Sequence, residues 1–195
     1  NNPLTYMLGN LELLKENLVD IGVEDGVVNE AIEAAWTGGR YVREIVSDLK
    51  AITKMDSVAD HCDPCEVIRI ASRMALADLR HRARLDLKLS DVTEVQLSSA
   101  RLSQVVLNIL SNAVHAFQDG DQASNRISVE AYERRDRVTI VIEDNGMGIS
   151  AEDLPQVSEP FFTRRGEKGG TGLGLSICGR IVTEAGGELK INSKL

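Results

Sequence analysis

Two long apolar stripes at helical spacing open the chain, and no later segment sustains that spacing for so long. Leu4, Met7, Leu8, Leu11, Leu14, Leu18 and Ile21 recur at steps of three and four, the pattern of a helix packed along its whole length. Pro3 suits the first turn, where no amide donor is required. After a break over 22–26, Ile32, Ala35, Trp36, Gly39, Val42, Ile45, Val46, Leu49 and Ile52 draw a second stripe near 3.5 residues per repeat. The spacing predicts a helical hairpin. Two helices cannot cover such stripes on all sides, so a second copy, completing a four-helix bundle, is the simplest way to bury them.

From residue 63 the pattern becomes mixed. A helix is predicted over 64–80, followed by Leu85, Leu87 and Leu89 alternating with polar residues as in a strand. Ser98 or Ser99 can cap a helix over 100–117. Residues 127–133 and 138–143 read as paired strands around a turn at Arg135-Asp136. A helix over 173–185 ends at Gly186-Gly187, with 188–191 as a further strand. Interleaved helices and short strands predict an α+β fold with helices on one face of the sheet.

Glycine and charge support a division into two parts. No glycine lies between Gly39 and Gly120, and ten of the 16 fall from Gly146 onward. Residues 1–60 carry 5 basic and 11 acidic side chains, residues 61–195 carry 17 and 19. Boundaries at 1–58 and 63–195 follow. The formal net charge of -8 and the lack of a long Lys/Arg cluster argue against nucleic acid as a partner. No apolar run approaches the roughly 20 residues that cross a bilayer, so no membrane contact by this segment is expected. Three cysteines do not make a disulfide framework, and the compartment expected is reducing, hence cytoplasmic. Cys62 and Cys65 form a C-x-x-C after His61, yet no second C-x-x-C or H-x-x-x-H completes a zinc site.

Three elements carry chemistry. On the helix over 100–117, Gln104, Asn108, Asn112 and His115 share a stripe apart from the apolar face. Asparagine is a poor helix former, and its amide oxygen can ligate a hard divalent cation without adding charge beside phosphates. Glu143-Asp144-Asn145-Gly146-Met147-Gly148 ends a strand with a carboxylate able to accept from an exocyclic amine, and with glycines that admit close approach of a ligand. Gly146-x-Gly148-x-x-Ala151 also fits a loose dinucleotide fingerprint, but Pro155 and Pro160 interrupt the helix that should follow. Finally, 166–175 is a glycine-rich loop running into a helix, where backbone amides can cradle phosphates; it lacks the Gly-Lys-Ser/Thr of a Walker A loop.

In this order the elements resemble the ATP-binding domain of sensor histidine kinases, within the GHKL superfamily of gyrase, heat-shock protein 90 and mismatch-repair ATPases. The asparagine box matches Asn108-Ile109-Leu110-Ser111-Asn112-Ala113 and the first glycine box Asp144-Asn145-Gly146-Met147-Gly148. The phenylalanine box matches Pro160-Phe161-Phe162 and the second glycine box Gly170-Thr171-Gly172-Leu173-Gly174-Leu175. The resemblance implies a dimeric four-helix bundle followed by an α/β sandwich of the histidine kinase ATPase (Bergerat) type. It also implies that Asn108 holds Mg2+, that Asn112 contacts phosphate or the ion, and that Asp144 reads the adenine amine of ATP. Further nucleotide contacts are implied for Gly146, Gly148, Phe161, Phe162, Lys168, Gly170, Thr171, Gly172, Leu173 and Gly174, with a lid over 159–170.

Asn1-Asn2-Pro3-Leu4-Thr5 is similar to the end of the family's H-box, His-Glu-x-x-Asn-Pro-Leu. The phosphoacceptor histidine would then fall three residues before Asn1, and His61, His81 and His115 do not match its context. The chain is therefore expected to be a piece of a longer protein, with the family's last strand following Lys194-Leu195. Asn2 matches the position that orients water for dephosphorylating the response regulator. The implied activity is transfer of the γ-phosphoryl group of ATP to that histidine and then to a receiver-domain aspartate, by a homodimer joined through residues 3–55. Two competitors remain: a noncatalytic nucleotide-binding scaffold, and a GHKL-type ATP hydrolase, which would need a glutamate where this chain has Gln104.

Overall fold

The computed structural model describes residues 2–20, 26–53, 61–79, 82–117, 124–164 and 171–194. The chain divides into two compact units, residues 1–54 with 161–173, and residues 55–160 with 174–195.

The first unit contains the helical hairpin, α1 (Asn2–Asp20) and α2 (Gly26–Thr53). The expected break falls mainly on 21–25, outside the described residues. The helices cross closely at Gly39, where a Cβ would lie 2.8 Å from Leu8 Cδ2 and 3.0 Å from Met7 Cε. Leu8 is buried there, and an ion pair joins Lys15 on α1 to Glu33 on α2. Much of the rest of the predicted stripe faces outward: Met7 is 44% exposed, Leu14 51% and Val42 44%.

The second unit holds α3 (Pro64–Leu79), β1 (Arg84–Leu89), α4 (Ser99–His115), β2 (Arg126–Arg134), β3 (Arg137–Asp144) and α5 (Gly174–Glu184). The strands form one sheet in the order β1-β2-β3. β1 runs parallel to β2, pairing Leu85 with Ile127 and Leu87 with Val129, with α4 in the crossover that parallel strands need. β2 and β3 are antiparallel, and Ile127 faces Asp144 across the ladder. Their hairpin turns at Arg135 and Asp136, both at positive φ (53° and 59°), the handedness that matches strand twist in a two-residue turn.

One face of the central strand, β2, is buried. Ile127, Val129 and Ala131 alternate along β2 with partly exposed neighbours, and each is buried to within 1%. Ile68 and Ala71 of α3, Leu110 and Val106 of α4, and Ile181 of α5 complete the core. Helix boundaries have local causes. Ser98 caps α4, its side chain accepting from the Arg101 amide, as the sequence predicts. Past the end of α5, Gly186 N–H donates to Thr183 O and Gly187 N–H to Val182 O, with Gly186 at φ 73°, the paired bonds of a Schellman ending.

The strand predicted over 188–191 is not formed, a correction to the sequence reading. Alternation survives, because Leu189 and Ile191 are half-buried while Glu188 and Lys190 are exposed. No backbone hydrogen bond joins 188–191 to a neighbouring strand among the described residues, and pairing, not alternation, makes a sheet. The segment is tied down instead by Ser193, whose hydroxyl accepts from the Ile149 amide at 2.8 Å.

Candidate functional site

Helix α4 carries the asparagine box. Its apolar positions Leu102, Val105, Val106, Leu110, Ala113 and Val114 are buried, which turns the amide stripe away from the core. Gln104, Asn108 and Asn112 on that stripe are half-buried, and His115 at its end is exposed, with Nδ1 2.6 Å from the Ser111 carbonyl.

Two glycine segments of the second unit, the turn at Gly146 and the start of α5 at Gly174, are fastened to α4. Gly146 lies so close to its C-terminal end that a Cβ would sit 2.6 Å from Ala116 Cβ and 2.8 Å from Ala116 O. The Met147 amide donates to the same carbonyl at 2.9 Å. Asn145 holds the other side of this turn, accepting from the Arg126 amide at 2.6 Å and donating to Ser124 O at 2.8 Å. Gly148, at φ 72°, completes a path that L side chains rarely take. At the start of α5, Gly174 O accepts from Asn108 Nδ2 at 3.4 Å. The asparagine helix is thus the hub to which the first glycine box and Gly174 attach.

Several polar groups around α4 and the turn after β3 keep unused acceptor atoms. Asp144, exposed at the end of β3, uses Oδ1 to accept from the Gly146 amide at 2.9 Å, and Oδ2 has no partner among the described residues. Asn108 Oδ1 and the Asn112 side chain are also unpartnered there. Neutral amide oxygens suit a hard cation that brings its own phosphate oxygens. Among the described residues no three His, Cys, Asp or Glu gather into a metal cluster.

The phenylalanine box and the start of the second glycine box belong to the first unit. Phe161 N–H donates to Gly172 O at 2.9 Å, and a Cβ on Gly172 would lie 2.5 Å from Phe161 C. Phe161 is exposed, Phe162 half-buried and Leu173 buried, with the Leu173 amide bonded to Thr171 Oγ1 at 3.1 Å. Lys168 and Gly170 lie outside the described residues, as do His81 and most of the lid beyond residue 164. Asn2 lies in the first turn of α1.

Cys62 and Cys65 have structural partners. Cys62 forms a two-way backbone bridge with Val95, and Cys65 Sγ donates to Ser90 O at 3.2 Å, so the pair anchors the segment after β1. Burial pushes both thiols above their ordinary range. Sequence reasoning did not find Ala116 or Gly174 O as fastening points, because a backbone carbonyl leaves no mark on residue type.

The profile described as histidine kinase-, DNA gyrase B-, and HSP90-like ATPase matches residues 98–195, which span α4 to the end of the chain. The chain belongs to this ATPase family. A sensor protein of Shewanella frigidimarina is 32% identical over 180 residues, covering 90% of this chain and 26% of its own length. The sensor histidine kinase ZraS of Salmonella typhimurium is 42% identical over 100 residues, 51% of this chain and 20% of that protein. The chain thus spans about a quarter or less of these relatives. Among solved structures, the mycobacterial sensor histidine kinase MprB superposes with a TM-score of 0.57 at 28% identity, over 66% of this chain and 81% of that one. The mixed fold with its small sheet is that of histidine kinase catalytic domains.

Proposed function

We propose that this chain is the catalytic core of a sensor histidine kinase, with residues 1–58 as the dimerisation and phosphotransfer domain and 63–195 as the ATP-binding domain. The observation that carries the reading is the attachment of Gly146, Met147 and Gly174 to α4, which fixes two glycine segments around one stripe of neutral amides. Asp144 Oδ2 accepts from the adenine amine. Asn108 Oδ1 and Asn112 would hold Mg2+ and phosphate oxygens, and a bound magnesium ion would supply charge neutralisation. The remaining nucleotide contacts come from Gly148, Phe161, Phe162, Lys168, Gly170, Thr171, Gly172 and Leu173. Catalysis then rests on positioning.

Gln104 supports the kinase over a hydrolase, because an amide cannot take a proton from water at the position where a hydrolase needs a base. The exposed apolar residues of α1 and α2 support a homodimer through 3–55. Asn2 orients water for dephosphorylation of a response-regulator receiver domain, the second partner. No described helix is long and apolar enough to cross a membrane, which is consistent with a cytoplasmic setting for this segment.

The test is incubation of the chain, extended upstream through the H-box, with radiolabelled ATP and Mg2+. The extended protein is expected to acquire an acid-labile, base-stable label that passes to a receiver-domain aspartate, while residues 1–195 alone remain unlabelled. Labelling of residues 1–195 on His61, His81 or His115 would overturn the H-box assignment.

A further inference from the structure

Strand β3 pairs with β2 as far as Asp144, which lies opposite Ile127. Asn145 carries the pairing one residue further, with its side chain as well as its backbone. Its backbone N–H donates to Arg126 O at 3.2 Å, its Oδ1 accepts from the Arg126 amide at 2.6 Å, and its Nδ2 donates to Ser124 O at 2.8 Å. Asparagine can do this because its side chain carries both a carbonyl and an amide donor, the two halves of a peptide group. The segment it grips is itself held: Asn125 O accepts from the Arg84 amide at 2.9 Å, and Asn125 Nδ2 donates to Arg82 O at 2.8 Å.

The next amide along the chain, that of Gly146, is the donor that engages Asp144 Oδ1. Its direction is set by the peptide between Asn145 and Gly146, which is caught between the Asn145 bonds on one side and the close packing of Gly146 on Ala116 on the other. The torsion of a carboxylate is broad when nothing engages it, so the Gly146 bond is what gives Oδ2 a single direction. We propose that Asn145 is a positioning residue for base recognition: by stapling the turn to 124–126 it orients the Gly146 amide, which aims Asp144 Oδ2 at the exocyclic amine of adenine. The proposal deepens the ATP-binding reading and rests on it. Asn145 acts through Asp144, since both of its own side-chain polar atoms are spent on 124–126. Its contribution is therefore selectivity for adenine and not grip on the phosphates.

Calorimetric titration of residues 1–195 with Mg2+-ATP and with purine riboside triphosphate, which is ATP without the exocyclic amine, isolates that contribution. The unmodified chain should prefer ATP by about tenfold, the share of one hydrogen bond to a charged acceptor. In Asn145→Ala the preference should fall to about twofold or less, while affinity for purine riboside triphosphate stays within about twofold. Asn145→Asp keeps the acceptor for the Arg126 amide and loses the donor to Ser124 O, so its preference should fall between the two. Its added charge faces the same triphosphate in both ligands and cancels in the ratio. In Asp144→Asn, where no carboxylate is left to aim, adding Asn145→Ala should change the preference no further. Thermal unfolding checks that each variant is folded, and if Asn145→Ala is not, Asn145→Asp decides alone. A preference retained in the folded Asn145 variants, including a parallel loss of affinity for both nucleotides, overturns the positioning role and leaves Asp144 reading the base. Equal affinity of the unmodified chain for both nucleotides, or no binding of either, overturns the reading of the base by Asp144 and the positioning role with it.

Discussion

The helical hairpin and the sheet-based unit solve the burial problem differently. In the second unit every helix finds a partner within the chain: Ile68, Leu110, Ile127 and Ile181 are each buried to within 1%, and α4 packs against α3, α5 and β3. In α1 and α2, among the described side chains, Leu8 is the one large apolar group that is buried, at the crossing with Gly39. Tyr6, Leu13, Leu14, Val27 and Val42 remain exposed. The sheet-based unit buries its core within the chain, whereas the hairpin leaves much of its apolar surface exposed. Under the proposed homodimer a second copy would cover it, which would make the hairpin's stability depend on protein concentration.

The largest expected effect strikes the self-sufficient unit. Leu110→Ala empties a fully buried position between α4 and its neighbours and should cost about 2–5 kcal/mol. Denaturant unfolding followed by circular dichroism should show the loss at every protein concentration. A loss below about 1 kcal/mol would mean that α4 is not packed as described.

Leu14→Asp reverses the logic. Leu14 is 51% exposed in one chain, so in a monomer the change should be nearly neutral, but in a bundle it removes about 2 kcal/mol of burial from each protomer. Light scattering across a dilution series should show the dimer dissociating at higher concentration in the variant. Identical dissociation profiles would exclude this stripe from the interface.

The smallest effect separates the units by pH. Cys62 and Cys65 both lie in the sheet-based unit, and burial raises both thiols above the ordinary value of 9.0. In the unfolded chain they ionise near that value and in the folded chain only above it. Their stabilising contribution is therefore full below about pH 9 and is lost as pH rises through the folded values. A Cys62→Ala/Cys65→Ala double variant should show a shallower fall of stability as pH is raised above the ordinary thiol value of 9.0. An unchanged slope would show that the thiols are not buried as neutral groups.

The sequence was most legible where local chemistry decides structure. Ser98 as a cap, the Arg135-Asp136 turn and the Gly186-Gly187 ending all follow from short-range preferences, and the core face of α4 follows from its period. Three features needed the chain folded. Parallel pairing of β1 with β2 depends on contacts forty-two positions apart, such as Leu85 with Ile127. The 188–191 segment kept its alternation but found no ladder, which depends on the neighbour rather than on the segment. The positive φ of Phe161, whose amide bonds to Gly172 O, is not announced by the identity of a phenylalanine. The asparagine and glycine residues of the candidate site could be named from their spacing, but their dependence on Ala116 and Gly174 carbonyls could not.

On the proposed reading, α4 and the turn after β3 form a nucleotide site in which Asp144 reads the base. Calorimetric titration of Mg2+-ATP into residues 1–195 and into Asp144→Asn tests it most directly, with thermal unfolding as a check that both are folded. The unmodified chain should bind, and the variant should bind more weakly by about 1–3 kcal/mol, because an acceptor for the exocyclic amine is replaced by a group that can present a donor. Equal affinities, or no binding by the folded unmodified chain, would contradict the account.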